Sequence, residues 1–307
     1  MAKGVALDVD HLLSLRHLAL RLDAPAGPPR SALPGETPHR RRGRGVEIHD
    51  VRPWVDGDDL RHLDRNVTAR TGAPHVRAFR EERERATLLV ADLRPSMLFG
   101  TRRALRSHAG AEALALIGWR AAREGRVGLV ALTHEGAQLL RYGRGARAMI
   151  AVCGALAAAH REALNAGARA DPPLDAALDE ADGLAGRGAD FVLATGLDEE
   201  GARFAAVAEK IAAKRDFAAL LMTDRFETAP PPGAYPFATL AGAAGWLDVG
   251  EAGVALPDAR EARLRRLGVE AMTLDCGLAP DAMAARLRFF SSGRRRRRRS
   301  RVCARAA

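Results

Sequence analysis

Apolar positions along the chain change texture near residue 77. Residues 8–23 place Leu12, Leu15, Leu18 and Leu22 at helical spacing, with Leu13 and Leu20 beside them. That pattern predicts a short amphipathic helix covering part of a core. Residues 24–44, rich in Pro, Gly and Arg, read as an extended linker. From about Arg77 onward, short apolar runs alternate with longer helical patterns. Thr87–Ala91 is a strand ending at Asp92, and Arg103–Arg123 a helix with Leu105, Ala109, Ala113, Leu116 and Ile117 on one face. Val127–Leu132 predicts a strand and Ala146–Arg161 a helix, and Phe191–Ala194, Phe217–Met222 and Val269–Leu274 predict three further strands. Near-continuous apolar strands between helices imply an α/β fold, a mostly parallel sheet with helices on both faces. Pro230–Gly233 interrupts the pattern as a surface loop, and no repeat period is visible.

Charge changes this picture at two places. The net charge is +10, but residues 294–307 hold eight arginines and no acid. Without them the rest carries only +2, so the basicity is a tail. Arg294, Arg295, Arg296, Arg297, Arg298 and Arg299 could neutralise phosphates, or be a solvated end in an arginine-favouring chain. The second place is Gly45–Arg70, with six acids and four arginines around a turn signal. No ordinary helix or strand period runs through it. Val51, Trp54, Val55, Leu60 and Leu63 set it apart from a disordered tract, and predict a folded surface element whose Asp and Arg side chains pair with each other or with a partner.

No run of about 18 uncharged apolar residues occurs, so no membrane span is expected. The first ten residues lack the apolar stretch of a secretory signal. Cys153, Cys276 and Cys303 are scattered, which points to a reducing, cytoplasmic setting rather than a disulfide framework or zinc site.

Gly45, Glu47, Arg52, Gly57, Asp58, Asp59, Arg61, Asp64, Ala69 and Arg70 fit, in order, the pattern G-x-E-F, R-x-Y, G-D-D-x-R-x-I-D-W, A-R. The chain thereby resembles the bacterial domain-of-unknown-function-58 family, with Ile48, Trp54, Leu63 and Arg65 as departures. The likeness runs on through Glu82–Glu84 and Asp92 to Gly100, and more faintly to about residue 224. It implies a von Willebrand A-like fold and a MoxR-type AAA+ ATPase as partner. The expected organisation is an N-terminal helix and linker at 1–44, the signature at 45–76, a von Willebrand A-like domain at 77–290, and a basic tail at 291–307. Glu47, Arg52, Asp58, Asp59, Arg61, Asp64 and Arg70 become the candidate partner-binding residues.

Asp92-Leu93-Arg94-Pro95-Ser96 resembles the D-x-S-x-S loop of von Willebrand A domains, whose carboxylate and hydroxyls bind Mg²⁺ as hard oxygen ligands. Asp92 and Ser96 are kept, and Arg94 replaces the first serine. The later Ser-Asp pair aligns with Thr195-Gly196, with Asp198 two residues on, and the usual threonine has no counterpart in Arg169–Pro172. A guanidinium cannot ligate a metal, so Arg94 is expected to pair with Asp92 in the cation's place.

Gly143-Arg144-Gly145-Ala146-Arg147-Ala148 fits a dinucleotide pattern, G-x-G-x-x-A, but its place mid-chain after a short strand favours a tight strand-to-helix turn. G-x-S-x-G, H-E-x-x-H and the lysine-containing phosphate loop are all absent. His49, His62 and His75 have no metal spacing. The favoured expectation is a non-catalytic adaptor with no resident cofactor. Its rivals are a polyanion binder acting through the tail and a hydrolase using Asp58 and Asp59.

Overall fold

The computed structural model describes residues 4–20, 48–56, 58–79, 85–167, 170–186, 188–238, 243–250, 258–288 and 290. The linker, Glu47, Gly57, Glu82–Glu84, Arg169 and Arg294–Arg299 lie outside the described residues.

Two compact units divide the chain, one of residues 1–24 with 85–307 and one of residues 25–84. In the large unit, α1 (Val9–Ser14) and α2 (Arg16–Ala19) stand where the sequence predicts a single helix over 8–23. Asp8 caps α1, accepting from the Asp10 amide, and the helix ends at Leu15. The small unit contains β1 (Ile48–Pro53), α3 (Arg65–Thr71) and β2 (His75–Phe79), with β1 and β2 antiparallel. The expectation that no ordinary element runs through Gly45–Arg70 is corrected by β1 and α3. These elements are short and held by capping and cross-strand pairing, which leave no apolar period to read. Because Arg77–Phe79 belong to β2, they pair with β1 and not with the large sheet.

The large unit continues with β3 (Arg85–Asp92), α4 (Arg106–Glu124), β4 (Gly125–Thr133), β5 (Gly136–Arg144) and α5 (Gly145–Asn165). Then come α6 (Leu174–Leu184), β6 (Asp190–Thr195), α7 (Phe204–Lys214), β7 (Phe217–Thr223) and α8 (Arg225–Thr228). A hairpin of β8 (Gly233–Ala238) and β9 (Ala244–Val249) precedes α9 (Arg260–Arg266), β10 (Glu270–Asp275) and α10 (Pro280–Leu287).

The sheet order is β10-β7-β6-β3-β4-β5, parallel throughout except for β5, which runs antiparallel to β4 at one edge. This is the mostly parallel α/β architecture expected. Period-two side-chain alternation divides the strands between two cores. Leu89 and Ala91 of β3 pack with α4, α5, α1 and α10, and Leu88 and Val90 pack with α6, α7 and Leu264 of α9.

Helix α4 is buried on nearly every side, between the sheet and the N-terminal helices. That placement explains its alanines and glycines, since large side chains would hold the layers apart. A Cβ at Gly118 would lie 2.8 Å from both Leu89 Cδ1 and Met149 Sδ. On the outer side Leu12, Leu15 and Leu18 are buried against this layer, and the Trp119 indole donates to the Leu12 carbonyl at 3.3 Å.

The Gly143–Ala148 pattern is a turn. Gly143 and Arg144 end the antiparallel edge strand, and Gly145, with φ +64°, opens α5. An L side chain is strained in that conformation, which accounts for glycine there.

Candidate functional site

The parallel strands deliver their carboxyl ends to one side of the sheet, where ligands of open α/β folds gather. Because β3 is central, with β4 on one side and β6 on the other, the chain reverses its winding at Asp92. Three loops meet there: Leu93–Leu98 after β3, Asp171–Pro173 before α6, and Gly196–Glu200 after β6.

At the centre is Arg94, with 0 % of its side chain exposed. Its Nε and Nη2 donate to Oδ1 and Oδ2 of Asp92, each at 2.9 Å. Nη1 donates to the Pro172 carbonyl at 2.7 Å, and Nη2 to the Asp198 carbonyl at 2.9 Å. A longer bond of 3.3 Å reaches the Glu199 carbonyl. Leu197 and Glu199 have φ of 62° and 39°. Strain of this kind in non-glycine residues persists where the surroundings enforce it, and here it flanks the carbonyls that receive the guanidinium. Burial works against the charge of Arg94, but the nearby Asp92 carboxylate outweighs it and holds its pKa above the usual arginine value.

Thr195 and Ser96 join this cluster as the sequence predicts. Thr195 Oγ1 donates to Asp92 Oδ2 at 2.7 Å. The Ser96 amide donates to Asp171 Oδ1 at 2.9 Å, while its buried hydroxyl has no hydrogen-bond partner among the described residues. Asp171, which the sequence did not single out, also faces Arg94 Nη1 at 3.8 Å. Asp198 contributes its carbonyl rather than its carboxylate, which pairs with Arg106 at 3.1 Å.

Asp92, Thr195, Asp171 and Ser96 are hard oxygen donors of the kind Mg²⁺ takes. The centre of that donor set is filled by a guanidinium that engages both oxygens of Asp92. A cation on Asp92 would have to displace it, so the arrangement does not fit a resident metal ion.

An outer ring of paired charges surrounds this core. Arg106 reaches Glu227 at 3.2 Å, and Arg260 reaches Glu227 at 3.3 Å and Asp258 at 2.8 Å. Asp224 accepts from the Thr101 amide and hydroxyl and from Phe226 N, and caps α8. Burial would raise its pKa, but these bonds outweigh that and hold it below the ordinary carboxylate value. Apart from Arg260 with Asp258 and the cap of α8, these partners come from elements far apart in sequence, so no local spacing could have revealed them.

The small unit uses its signature acids on its own backbone. Asp58 forms a two-pronged pair with Arg52, both bonds 2.6 Å, and accepts from Val55 N. The hydrogen bond from Arg52 is the main cause of its lowered pKa. Asp59 accepts from the Arg61 amide, and Asp64 caps α3 by accepting from Asn66 N and Val67 N. Arg61 and Arg70 are exposed, and among the described residues neither guanidinium is paired. His75 bonds Thr71, and no metal grouping joins it to His62 among the described residues.

Sequence reasoning missed a buried cluster behind α4. Glu112 accepts from His11 at 2.7 Å and from Arg103 at 3.1 and 2.7 Å, with His108 3.5 Å away. Burial would raise the Glu112 pKa, but the hydrogen bonds hold it far below the ordinary value. Nearby, Ser107 and His160 are 3.0 Å apart, both fully buried, and desolvation lowers the His160 pKa to about 4.

Fold and site together define an α/β protein whose strand-end crevice is closed by an internal ion-pair network. Residues 50–240 match the family described as Protein of unknown function DUF58. That is more than half of the chain, and the chain belongs to this family. It is also similar to the Uncharacterized protein Rv1480 of Mycobacterium tuberculosis (strain H37Rv) and the Uncharacterized protein Mb1516 of Mycobacterium bovis. Each is 48% identical over 59 residues, which is 19% of this chain and 19% of the relative. The match thus spans about a fifth of the curated relatives' length. No solved structure matches the chain.

Proposed function

We propose that this protein is a non-catalytic adaptor with a von Willebrand A-like large unit, working with a MoxR-type AAA+ ATPase. The sheet order supports the von Willebrand A-like part of this reading, with the first strand of the large unit central and the third antiparallel at the edge. The observation that carries the adaptor reading is the closure of Asp92 by Arg94. The carboxylate at the winding reversal is consumed internally, so recognition falls to exposed groups.

Within the signature, the same logic separates strut from contact. Asp58, Asp59 and Asp64 hold backbone and Arg52, which leaves Arg61 and Arg70, among the candidate contact residues described, with charge free to meet a partner. A hydrolase using Asp58 as an acid fits less well, because its pair with Arg52 keeps the carboxyl ionised.

Affinity capture of the native chain from its own cell extract, with and without ATP, tests this reading. An AAA+ ATPase should be recovered, and Arg61→Gln with Arg70→Gln should weaken its recovery while circular dichroism stays unchanged. Equal recovery with the double variant, or no ATPase under either condition, would count against it.

A further inference from the structure

The large unit has a second concave surface outside the Asp92 crevice. The β8–β9 hairpin, the Phe99–Arg102 loop and α8 enclose an open cleft of about 740 Å³. Its walls include Phe99, Phe226, Tyr235, Phe237 and Leu247. Phe226 and Tyr235 meet edge to face at 4.7 Å, and the Tyr235 hydroxyl donates to the Pro231 carbonyl at 2.9 Å. That wall is therefore fixed in place. Phe237 and Leu247, 46 % and 45 % exposed, leave this apolar surface open on the hairpin.

Two arginines, Arg102 and Arg225, line the same cleft and are exposed. Among the described residues neither guanidinium is hydrogen-bonded or paired. Their neighbours Arg103, Arg106 and Arg260 are all spent on carboxylates. The contrast leaves positive charge in an aromatic cleft with no acid among its described lining residues.

We propose that this cleft docks an extended segment of a partner protein, one that sets apolar side chains beside an Asp or Glu carboxylate. Aromatic residues and arginine are enriched at protein interfaces, and a contiguous exposed apolar patch marks an interaction surface. The unpaired guanidiniums supply the complement to a carboxylate. Pro236 in β8 has no N–H to offer an added strand, so recognition rests on side chains. This docking is independent of the adaptor reading, since it uses no residue of the signature and no side chain that bonds Asp92 or Arg94.

The test pans a random-peptide display library on the full chain, then titrates the enriched peptide by fluorescence anisotropy. Enriched sequences should place an aromatic or aliphatic residue close to Asp or Glu. Arg102→Glu with Arg225→Glu should weaken binding by about tenfold or more, as interfacial charge pairs do. Leu247→Ser should also weaken it, with the melting temperature of both variants nearly unchanged. A peptide with its acid replaced by Lys should prefer the charge-reversed variant. The proposal fails if no sequence or a basic one is enriched, or if charge reversal leaves binding intact. It also fails if sedimentation shows a dimer that Leu247→Ser dissociates, because the occupant is then a second copy of this chain.

Discussion

The guanidinium of Arg94 and the carboxylate of Asp92 meet fork to fork, both bonds 2.9 Å and both side chains fully buried. Removing one partner strands the other charge in the interior, which costs about 3–5 kcal/mol. Arg94→Met should lower unfolding stability on that scale in urea titrations. Adding Asp92→Asn should then cost much less than it does alone, because the pair acts as a unit. Additive losses would show that the two groups are not coupled.

Arg94→Ser should open the crevice to a cation. The substitution supplies the missing hydroxyl of the D-x-S-x-S loop beside Asp92 and Thr195. Its melting temperature should rise with millimolar Mg²⁺, while that of the native chain stays constant. A native chain stabilised by Mg²⁺, with the effect lost in Asp92→Ala, would mean that Arg94 does not hold the cation's place.

The cluster at Glu112 predicts a pH dependence of opposite sign on its two sides. The hydrogen bond to Glu112 is the main cause of the raised His11 pKa, against the opposing pull of burial. Its stabilisation is therefore whole below the unfolded value of about 6.5 and is lost as pH rises through the folded one. Glu112 is depressed, so its share is whole at neutral pH and is lost only in strong acid. The stability gap between the native chain and His11→Gln should shrink toward alkaline pH. Trp119 fluorescence can report it, since the indole bonds the Leu12 carbonyl. A gap of constant size would deny His11 this role.

Leu12 is fully buried and Ile150 is 52 % exposed. Leu12→Ala should cost about 2–5 kcal/mol, the range for emptying a packed leucine site. Ile150→Ala should stay within about 0.5 kcal/mol, as surface changes do. Comparable losses would mean that α1 does not cover the core as described.

Deleting residues 291–307 should remove salt-sensitive retention of the chain on DNA. Each arginine that neutralises a phosphate steepens the salt slope by about 0.9. Unchanged retention would dismiss the tail as a polyanion contact.

The central sheet was legible because β3, β6 and β7 are buried on both faces and so read as unbroken apolar runs. The pairing of Arg94 with Asp92 was legible too, since a single residue separates the partners along one loop. Strand β5 was not, because it is an edge strand of mixed sequence with no fully buried position. The β8–β9 hairpin was hidden by Pro236 and by its exposed apolar residues, which leave no alternation to follow. The bond between His11 and Glu112 spans 101 residues, and no period in the sequence encodes it. The roles of Asp58, Asp59 and Asp64 as caps and struts could not be read from spacing, because Asp serves the backbone as readily as a partner.

Residues 25–84 interrupt the large unit, and that interruption sets a timetable for synthesis. Helices α1 and α2 leave the ribosome before α4, yet the surface they cover belongs to it. Leu12 must wait for Trp119, 107 residues downstream. Until then the leucine stripe has no native place to go, while the signature between can already close on itself. Two helices made well before α4 are thus seated only after it, and their wait is longest when translation is slow.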